Sequence, residues 1–231
     1  DQYKKIIPNG LNLGIKISYL EQKFPRGLPE AFLIGEKFIN KNNVALILGD
    51  NFFYGQNLTE QLIKCTKLKN GAKVFLHKVL KPELYGVAKL NKANKIISIK
   101  EKPKKYLSDL AITGLYYFDK KVVEYTKKLK PSKRNELEIT DLLKIYQKKR
   151  LLSADLIGRG GAWMDTGSID DFYKTSAFVS AVENRQGFKI ACLEEIALNY
   201  KWITKKEIIN SIKFYGKCDY SNYLQRLIKK N

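Results

Sequence analysis

The apolar run Val44–Leu48 constrains the fold most, because Gly49, Asp50 and Asn51 follow it at once. An uninterrupted apolar run of this length is typical of a strand covered on both faces, as in the parallel sheets of α/β proteins. In such sheets, ligands bind beyond the carboxyl ends of the strands. We therefore expect Asp50 at the ligand-binding edge of a buried sheet.

Helix and strand patterns alternate around this run. Residues 30–39 have the spacing of a helix, and residues 57–68 form a second predicted helix, with Asn57 and Glu60 as its capping pair. Residues 72–79 are predicted to form the next strand. Alternation of this kind predicts an α/β fold with right-handed crossover connections.

The remaining chain contains further strand and helix patterns. Strands are predicted at 13–20, 86–90, 95–100, 112–118 and 151–157, and helices at 121–129, 139–147, 168–183 and 220–230. We expect two domains, a core over residues 1–184 and a helical C-terminal region over residues 185–231 that packs on it.

A second acidic motif lies far from the first. Asp165 stands in the run Trp163-Met164-Asp165-Thr166-Gly167, directly before a glycine turn. Two carboxylates that converge on one point make a site for a hard cation such as Mg²⁺. A cation held there would act on phosphate groups. Asp50 and Asp165 are therefore the candidate metal ligands, although both motifs are also ordinary turn sequences.

Length and composition narrow the class of protein. The chain has 231 residues, of which 44% are hydrophobic, enough for one large domain with a substantial core. It has no apolar stretch of membrane-spanning length, so we expect no membrane partner. Three scattered cysteines and the single histidine His77 argue against a disulfide framework or a structural zinc site. We expect a cytoplasmic location.

The net charge of +20 invites a nucleic-acid interpretation. Only six of the 43 basic residues are arginines, however, and the lysines are spread along the whole chain without a long basic tract. Lysine is also a poorer bidentate reader of bases than arginine. We therefore expect solvated lysines on all faces, weak and salt-sensitive DNA binding, and no nucleic-acid partner.

Several short motifs occur in a fixed order along nearly the whole chain. They are Gln22 with Gly27-Leu28, Leu48–Asn51, Glu83–Val87, Glu101-Lys102-Pro103, Thr113–Tyr116, Pro131-Ser132 with Glu136–Asp141, Gly158-Arg159-Gly160, Trp163–Gly167, Glu183–Gly187 and Cys192–Ala197. Each motif alone is weak evidence. In this order they make the chain resemble the glucose-1-phosphate thymidylyltransferases, a family of sugar-nucleotide pyrophosphorylases.

The resemblance implies a fold and a reaction. The fold would be of the nucleotide-diphospho-sugar transferase type, a Rossmann-like α/β fold with a three-layer, mixed and largely parallel sheet. The reaction would be Mg²⁺-dependent thymidylyl transfer from dTTP to glucose 1-phosphate. It would give dTDP-glucose for dTDP-rhamnose and cell-surface polysaccharide synthesis. We also expect a homo-oligomer.

Site residues follow from the same resemblance. Asp50 and Asp165 would hold Mg²⁺ beside the α-phosphate. Lys102 and Arg159 would be the catalytic cations that meet phosphate, and Pro103 is expected to hold Lys102 in an extended conformation. The predicted substrate-binding residues are Gln22 and Gly27 for the pyrimidine base, and Tyr85, Gly86, Glu101, Thr113 and Gly114 for the sugar.

One family motif is missing from these residues. The family begins with a strand and a GGxGTR-like loop that wraps the triphosphate, and no such motif occurs in the 231 residues. We therefore expect an N-terminally truncated core without its first strand, with little activity on its own. A separate N-terminal segment is one way to supply the loop. The alternatives are a non-catalytic sugar-nucleotide-binding fragment or assembly partner, or a related transferase specific for UTP or CTP.

Overall fold

The computed structural model describes residues 2–230, and for Lys230 the backbone alone. Its helices are α1 Gln2–Ile6, α2 Glu30–Ile34, α3 Glu36–Ile39, α4 Leu58–Thr66, α5 Val122–Thr126, α6 Ile139–Lys148, α7 Ile169–Gln186, α8 Leu193–Asn199, α9 Lys205–Tyr215 and α10 Asp219–Lys230. Its strands are β1 Val44–Ile47, β2 Asn51–Gly55, β3 Ala72–Lys78, β4 Gly86–Leu90, β5 Ile96–Glu101, β6 Leu110–Phe118, β7 Leu152–Leu156 and β8 Gly161–Asp165. Short 3₁₀ turns occur at Leu11–Leu13 and Pro82–Leu84.

Six strands form one sheet around β6. The order is β5-β4-β6-β3-β7, and β1 also pairs with β6. Strands β1 and β3 both run antiparallel to β6, so they point in the same direction and are connected through α4. The mixed α/β class is therefore confirmed.

The sheet is less parallel than the sequence predicted. Among the described strands, β3 and β7 form the one parallel pair, and the other pairs in the sheet are antiparallel. One physical reason is that β6 inserts antiparallel between β1 and β3, and for β4 and β5 the reason is connection length. A short turn at Asn91–Lys95 joins β4 to β5, and parallel strands need a crossover of a dozen residues or more.

The buried side of this sheet holds a polar contact that fixes the end of β6. Asp119 is 2% exposed and accepts hydrogen bonds from the Gly71 N–H (2.6 Å) and the Tyr146 hydroxyl (2.9 Å). Burial and the Asp119 charge together raise the pKa of Tyr146. Because the carboxylate is satisfied on both oxygens, its burial among aromatic rings is tolerated.

Several sequence predictions fail locally. The strand predicted at residues 13–20 does not form, and the predicted helix 30–39 is broken at Gly35 into α2 and α3. Asn57 has a left-handed backbone and makes no side-chain capping bond, whereas Ser168 and Asp171 do cap α7. Most other predicted elements lie within a few residues of their expected bounds.

The chain divides into two compact units. The sheet belongs to the unit Leu20–Phe172, and a helical unit contains the residues up to Tyr19 and those from Tyr173 onward. The predicted boundary at residue 185 lies inside the second unit, and the packing of residues 185–231 on the core stays a prediction.

The helical unit has its own core around a buried carboxylate. Glu194 is 1% exposed, and its Oε2 accepts a hydrogen bond from the Tyr220 hydroxyl at 2.6 Å. Burial and the Glu194 carboxylate raise the pKa of Tyr215 to about 12. The Cys192 Sγ lies 3.2 Å from the Tyr220 hydroxyl, so a thiol completes the cluster.

This cluster predicts a strong dependence of stability on Glu194. In Glu194→Ala the part-buried Tyr220 hydroxyl loses its carboxylate acceptor and a buried space opens, and we expect the free energy of unfolding to fall by roughly 2–4 kcal/mol. Glu194→Gln keeps an acceptor and should lose less. Chemical denaturation followed by circular dichroism measures both. Glu60→Ala, at an exposed position, is the matched control. Equal stability of Glu194→Ala and Glu60→Ala would contradict the interpretation.

Candidate active site

A tight turn places Asp50 at the carboxyl end of β1. The Asn51 N–H donates to the Leu48 carbonyl at 3.2 Å and closes the turn. The Leu48 N–H donates to the Gly114 carbonyl at 2.9 Å, which ties the turn to β6. Asp50 therefore lies where the sequence predicted it, at the edge of the sheet.

A two-stranded ribbon brings the second acidic motif to the same place. Strands β2 and β8 pair antiparallel, with Asn51 opposite Asp165, and neither strand was predicted. The N–H and hydroxyl of Thr166 both donate to the Asp50 carbonyl oxygen at 2.7 Å. Two motifs more than a hundred residues apart are thus joined by backbone hydrogen bonds.

The two carboxylates converge on one point beside Gly167. A Cβ atom at Gly167 would lie 3.1 Å from Asp165 Oδ1 and 3.7 Å from Asp50 Oδ2. Gly167 leaves this space open because it has no side chain. The Gly167 N–H also donates to Asp165 Oδ1 at 3.0 Å, which fixes that carboxylate.

This donor set suits a magnesium ion. Within residues 2–230 no three acidic, histidine or cysteine side chains cluster as metal ligands, so an ion here would take two protein carboxylates. Mg²⁺ commonly binds proteins through one or two carboxylates and completes its shell with water and substrate phosphate. The open space at Gly167 is consistent with that arrangement.

A second acidic group lies beside Gly86. A Cβ at Gly86 would lie 3.1 Å from the Glu101 carboxylate and 3.0 Å from the Thr140 methyl group. Burial and the Glu138 carboxylate raise the pKa of Glu101 above its ordinary value. Arg134 donates to both oxygens of Glu138 at 3.2 and 2.7 Å. Glu138 lies in the motif Glu136–Asp141, but neither Glu138 nor Arg134 is among the site residues predicted from the sequence.

Tyr85 lies next to the acidic ribbon. Its ring packs edge-on against Trp163, with ring centroids 5.1 Å apart. Burial, followed by the charges of Asp165 and Asp171, raises the pKa of the Tyr85 hydroxyl. Tyr85 contacts Trp163 of β8, and the next residue, Gly86, lies beside Glu101. These two neighbours therefore link the end of the ribbon that bears Asp165 with Glu101.

The predicted conformation of Lys102 is wrong. Its φ is 37°, in the left-handed region, although Pro103 was expected to keep it extended. The Lys102 N–H donates to the Tyr85 carbonyl at 3.0 Å and adds one bond to the β4–β5 ladder before the chain turns away. Strained backbone of this kind occurs often at functional sites.

Thr113 and Gly114 have different surroundings although they are neighbours. Thr113 is fully buried and its hydroxyl donates to the Phe75 carbonyl at 3.0 Å, so its side chain is engaged in the core, and its place in the sugar pocket stays a prediction. The hydrogen bond to Phe75 uses the hydroxyl proton inside the core. The Gly114 N–H donates to Asn51 Oδ1 at 3.0 Å, which places Gly114 directly behind the acidic turn.

Gln22 and Gly27 form a local loop. The Gln22 amide donates to the Gly27 carbonyl (3.2 Å) and to Glu30 (2.7 Å). Gly27 has a φ of 95°, and a Cβ there would lie 2.1 Å from the Leu137 carbonyl oxygen. This loop therefore packs against Leu137, the residue before Glu138. Its role in binding the base stays a prediction.

Arg159 lies at the other end of the ribbon. Gly55 pairs with Gly161, and Asn51 pairs with Asp165 four residues along. Strands rise about 3.3 Å per residue, so these pairs are roughly 13 Å apart. The loop Gly158-Arg159-Gly160 borders a separate cavity lined by Tyr54, Gln61 and Ile157. The ribbon does not bring the Arg159 loop to the carboxylate pair.

Comparison with known proteins defines the class. The family model for nucleotidyl transferases matches residues 1–182. Among solved structures, the Bacillus anthracis protein crystallised as a glucose-1-phosphate thymidylyltransferase with sucrose is similar, with a TM-score of 0.70 and 36% identity over 77% of this chain and 70% of that one. A UDP-glucose pyrophosphorylase bound to UDP-glucose follows, with a TM-score of 0.65 and 26% identity over 78% of this chain and 72% of that one. Fold and family thus define a nucleotidyltransferase.

The curated relatives narrow this class. The glucose-1-phosphate thymidylyltransferase of Neisseria meningitidis is 44% identical over 99% of this chain and 79% of its own length. The enzyme of Mycobacterium tuberculosis with the same name is 37% identical over 99% of this chain and 79% of its own length. The chain therefore belongs to the glucose-1-phosphate thymidylyltransferase family. None of the described helices is long and apolar enough to cross a bilayer.

The packing behind the turn predicts that Gly114 tolerates no side chain. In Gly114→Ala the new Cβ would lie 2.5 Å from Asn51 Oδ1 and 2.8 Å from the Leu48 side chain. We expect a loss of roughly 1–3 kcal/mol in the free energy of unfolding, because overpacking forces neighbours to move. Gly158→Ala is the control, since no atom lies within 4 Å of its added Cβ. Thermal denaturation of both variants measures the difference, and similar melting temperatures would refute the prediction.

The raised pKa of Glu101 predicts a pH effect on stability. A carboxyl group whose pKa rises on folding favours the fold below its unfolded value, and this contribution is lost as pH rises through the folded value. As pH increases above about 4.5, the ordinary value for glutamate, the melting temperature of wild type should fall relative to that of Glu101→Gln. Thermal melts from pH 4 to 7 test this, with exposed Glu60→Gln as the control. Parallel profiles for wild type and Glu101→Gln would count against a raised pKa.

Proposed function

We propose that this chain carries the metal site and the glucose 1-phosphate site of a Mg²⁺-dependent thymidylyltransferase, which joins dTTP and glucose 1-phosphate into dTDP-glucose and releases pyrophosphate. The convergence of Asp50 and Asp165 on one open point supports this most directly. Family membership gives the reaction class, and the relatives' names give the substrates. The product would supply dTDP-sugars for polysaccharide synthesis, in the cytoplasm.

The carboxylate pair would hold the ion at the reacting phosphate. When bound, Mg²⁺ would neutralise negative charge on the phosphoryl oxygens during in-line displacement. Asp50 and Asp165 are suited to this role because their backbones are tied together by Thr166. Rigid positioning of this kind avoids reorganisation during the reaction.

Lys102 and Glu101 would serve the sugar phosphate. The Lys102 side chain is exposed at the end of β5, where a point cation could meet a phosphate. Glu101, beside Gly86, would accept hydrogen bonds from sugar hydroxyls, and Tyr85 would line the same pocket. Arg134 is a further candidate for this pocket, since it bonds to Glu138 and its charge acts on Glu101.

Arg159 is proposed to make no contact with the reacting phosphate. Its position at the far end of the ribbon supports this omission. Gln22 and Gly27 are proposed to contact the pyrimidine, and thymidine specificity rests on the names of the relatives. A uridylyltransferase is less favoured, since the UDP-glucose pyrophosphorylase is 26% identical whereas the Neisseria enzyme is 44% identical.

Turnover would require a segment that carries a triphosphate-binding loop. No GGxGTR-like motif occurs in the 231 residues. Strand β1 offers a place for such a segment, because among the described strands it pairs with β6 alone and Ile47 is 59% exposed. An apolar edge with free backbone groups accepts an added strand readily. A homo-oligomer is proposed as well.

Pyrophosphate release from dTTP and glucose 1-phosphate tests the function. The 231-residue chain with Mg²⁺ should show little turnover, because removal of even one donor to a developing charge commonly costs ~10²–10³ in rate. Addition of a polypeptide bearing the GGxGTR-type strand and loop should raise turnover. In that mixture Asp165→Asn should abolish the gain, and Asp170→Asn, at an exposed position in α7, should keep it.

Two other outcomes of this assay would contradict the proposed function. Family-like turnover by the chain alone would show that the catalytic groups are misplaced in the proposal. Absence of turnover in the mixture, with sugar-nucleotide binding retained, would favour a non-catalytic binding or assembly fragment.

A further inference from the structure

The side chain of Asn51 occupies the junction between the sheet and the ribbon. Its Oδ1 accepts hydrogen bonds from the Gly114 N–H of β6 at 3.0 Å and from the Trp163 indole N–H of β8 at 2.6 Å. Its Nδ2 donates to Asp50 Oδ1 at 2.8 Å. One amide therefore contacts β6, β8 and the neighbouring carboxylate.

The orientation of this amide is determined by its neighbours. A backbone N–H and an indole N–H can only donate, and together they use both lone pairs of Oδ1. A flipped amide would direct its own N–H groups at these two donors and lose both bonds. The Nδ2 group must therefore face Asp50, and it holds the Asp50 carboxylate in one rotation.

Gly114 makes this arrangement possible. Any Cβ at residue 114 would lie 2.6 Å from the Asn51 Cγ, so the amide fills the space that a side chain would otherwise take. The fixed amide leaves Asp50 Oδ2 as the oxygen that faces the point shared with Asp165.

We infer that Asn51 is a positioning residue, which orients the Asp50 carboxylate toward the shared metal point without itself binding the ion. The inference rests on the proposed function, because it assumes a cation between Asp50 and Asp165. Hydrogen-bonding partners of metal ligands typically contribute 10–100-fold in metal affinity or activity. Asn51 would contribute in this way through a single hydrogen bond.

The indole contact can be observed directly by nuclear magnetic resonance. The chain has two tryptophans, so its ¹⁵N-indole spectrum should contain two signals. The Trp163 N–H is bonded to Asn51, whereas Trp202 is 51% exposed. In wild type the Trp163 indole proton should exchange with water more slowly than that of Trp202. In Asn51→Ala the exchange of Trp163 should accelerate, and Trp202 should be unchanged.

Binding of Mn²⁺, measured by electron paramagnetic resonance, tests the positioning role. We expect Asn51→Ala to weaken Mn²⁺ binding about 10-fold. In the Asp50→Asn background the same substitution should have little further effect, because it acts through Asp50. Asn91→Ala is the matched control, since Asn91 Oδ1 also accepts two backbone N–H bonds but lies in the β4–β5 turn.

A second variant keeps the test decisive if Asn51→Ala fails to fold. Trp163→Phe removes one of the two donors to Oδ1 and retains an aromatic ring, so it should weaken Mn²⁺ binding less than Asp50→Asn does. A circular dichroism spectrum and a cooperative thermal transition like those of wild type confirm that the variant is folded.

The outcomes separate this inference from the proposed function. If Asp50→Asn weakens Mn²⁺ binding and folded Asn51→Ala or Trp163→Phe does not, Asn51 has no positioning role and the metal site stands. A further loss on adding Asn51→Ala to Asp50→Asn would also overturn it, since Asn51 would then act independently. If Asp50→Asn binds Mn²⁺ as wild type does, the proposed metal site fails and the inference fails with it.

Discussion

The site depends on the two hydrogen bonds that Thr166 donates to the Asp50 carbonyl oxygen. They join a turn at the end of β1 to the end of β8, and so join two parts of the chain that are remote in sequence. Loop closure over this length is entropically costly, and the pairing of β2 with β8 offsets that cost with regular backbone bonds. Once these bonds form, the positions of both carboxylates relative to the sheet are determined.

Local patterns predicted most of the secondary structure but little of the strand pairing. Apolar runs and helical periodicity located β1, β3, α6 and α7, because burial determines both the pattern and the element. The β2–β8 ribbon escaped prediction because its residues are half-buried and carry no alternating pattern. The predominance of antiparallel pairs depends on where β6 inserts between β1 and β3, which no local window of sequence records.

The same limit applies to the site. Ordered motifs pointed to Asp50 and Asp165, and the fold brings these two together. The motifs could not distinguish Thr113 from Gly114. The Thr113 hydroxyl donates to the Phe75 carbonyl inside the core, whereas the Gly114 N–H donates to Asn51 beside the site. Lys102 shows a different limit, because a ladder bond to Tyr85 overrides the local preference that Pro103 imposes. Tertiary hydrogen bonds decide each of these cases.

Gly167 has a consequence for chemical selectivity. The space between the carboxylates is bounded by a residue whose only substituent is hydrogen, and one methyl group would stand 3.1 Å from Asp165 Oδ1. The backbone at this residue therefore sets the size of what can lie between the acidic groups. A small cation with a few waters suits such a space, whereas any side chain at residue 167 would compete with those waters for it. Selection by size is thus built into the main chain.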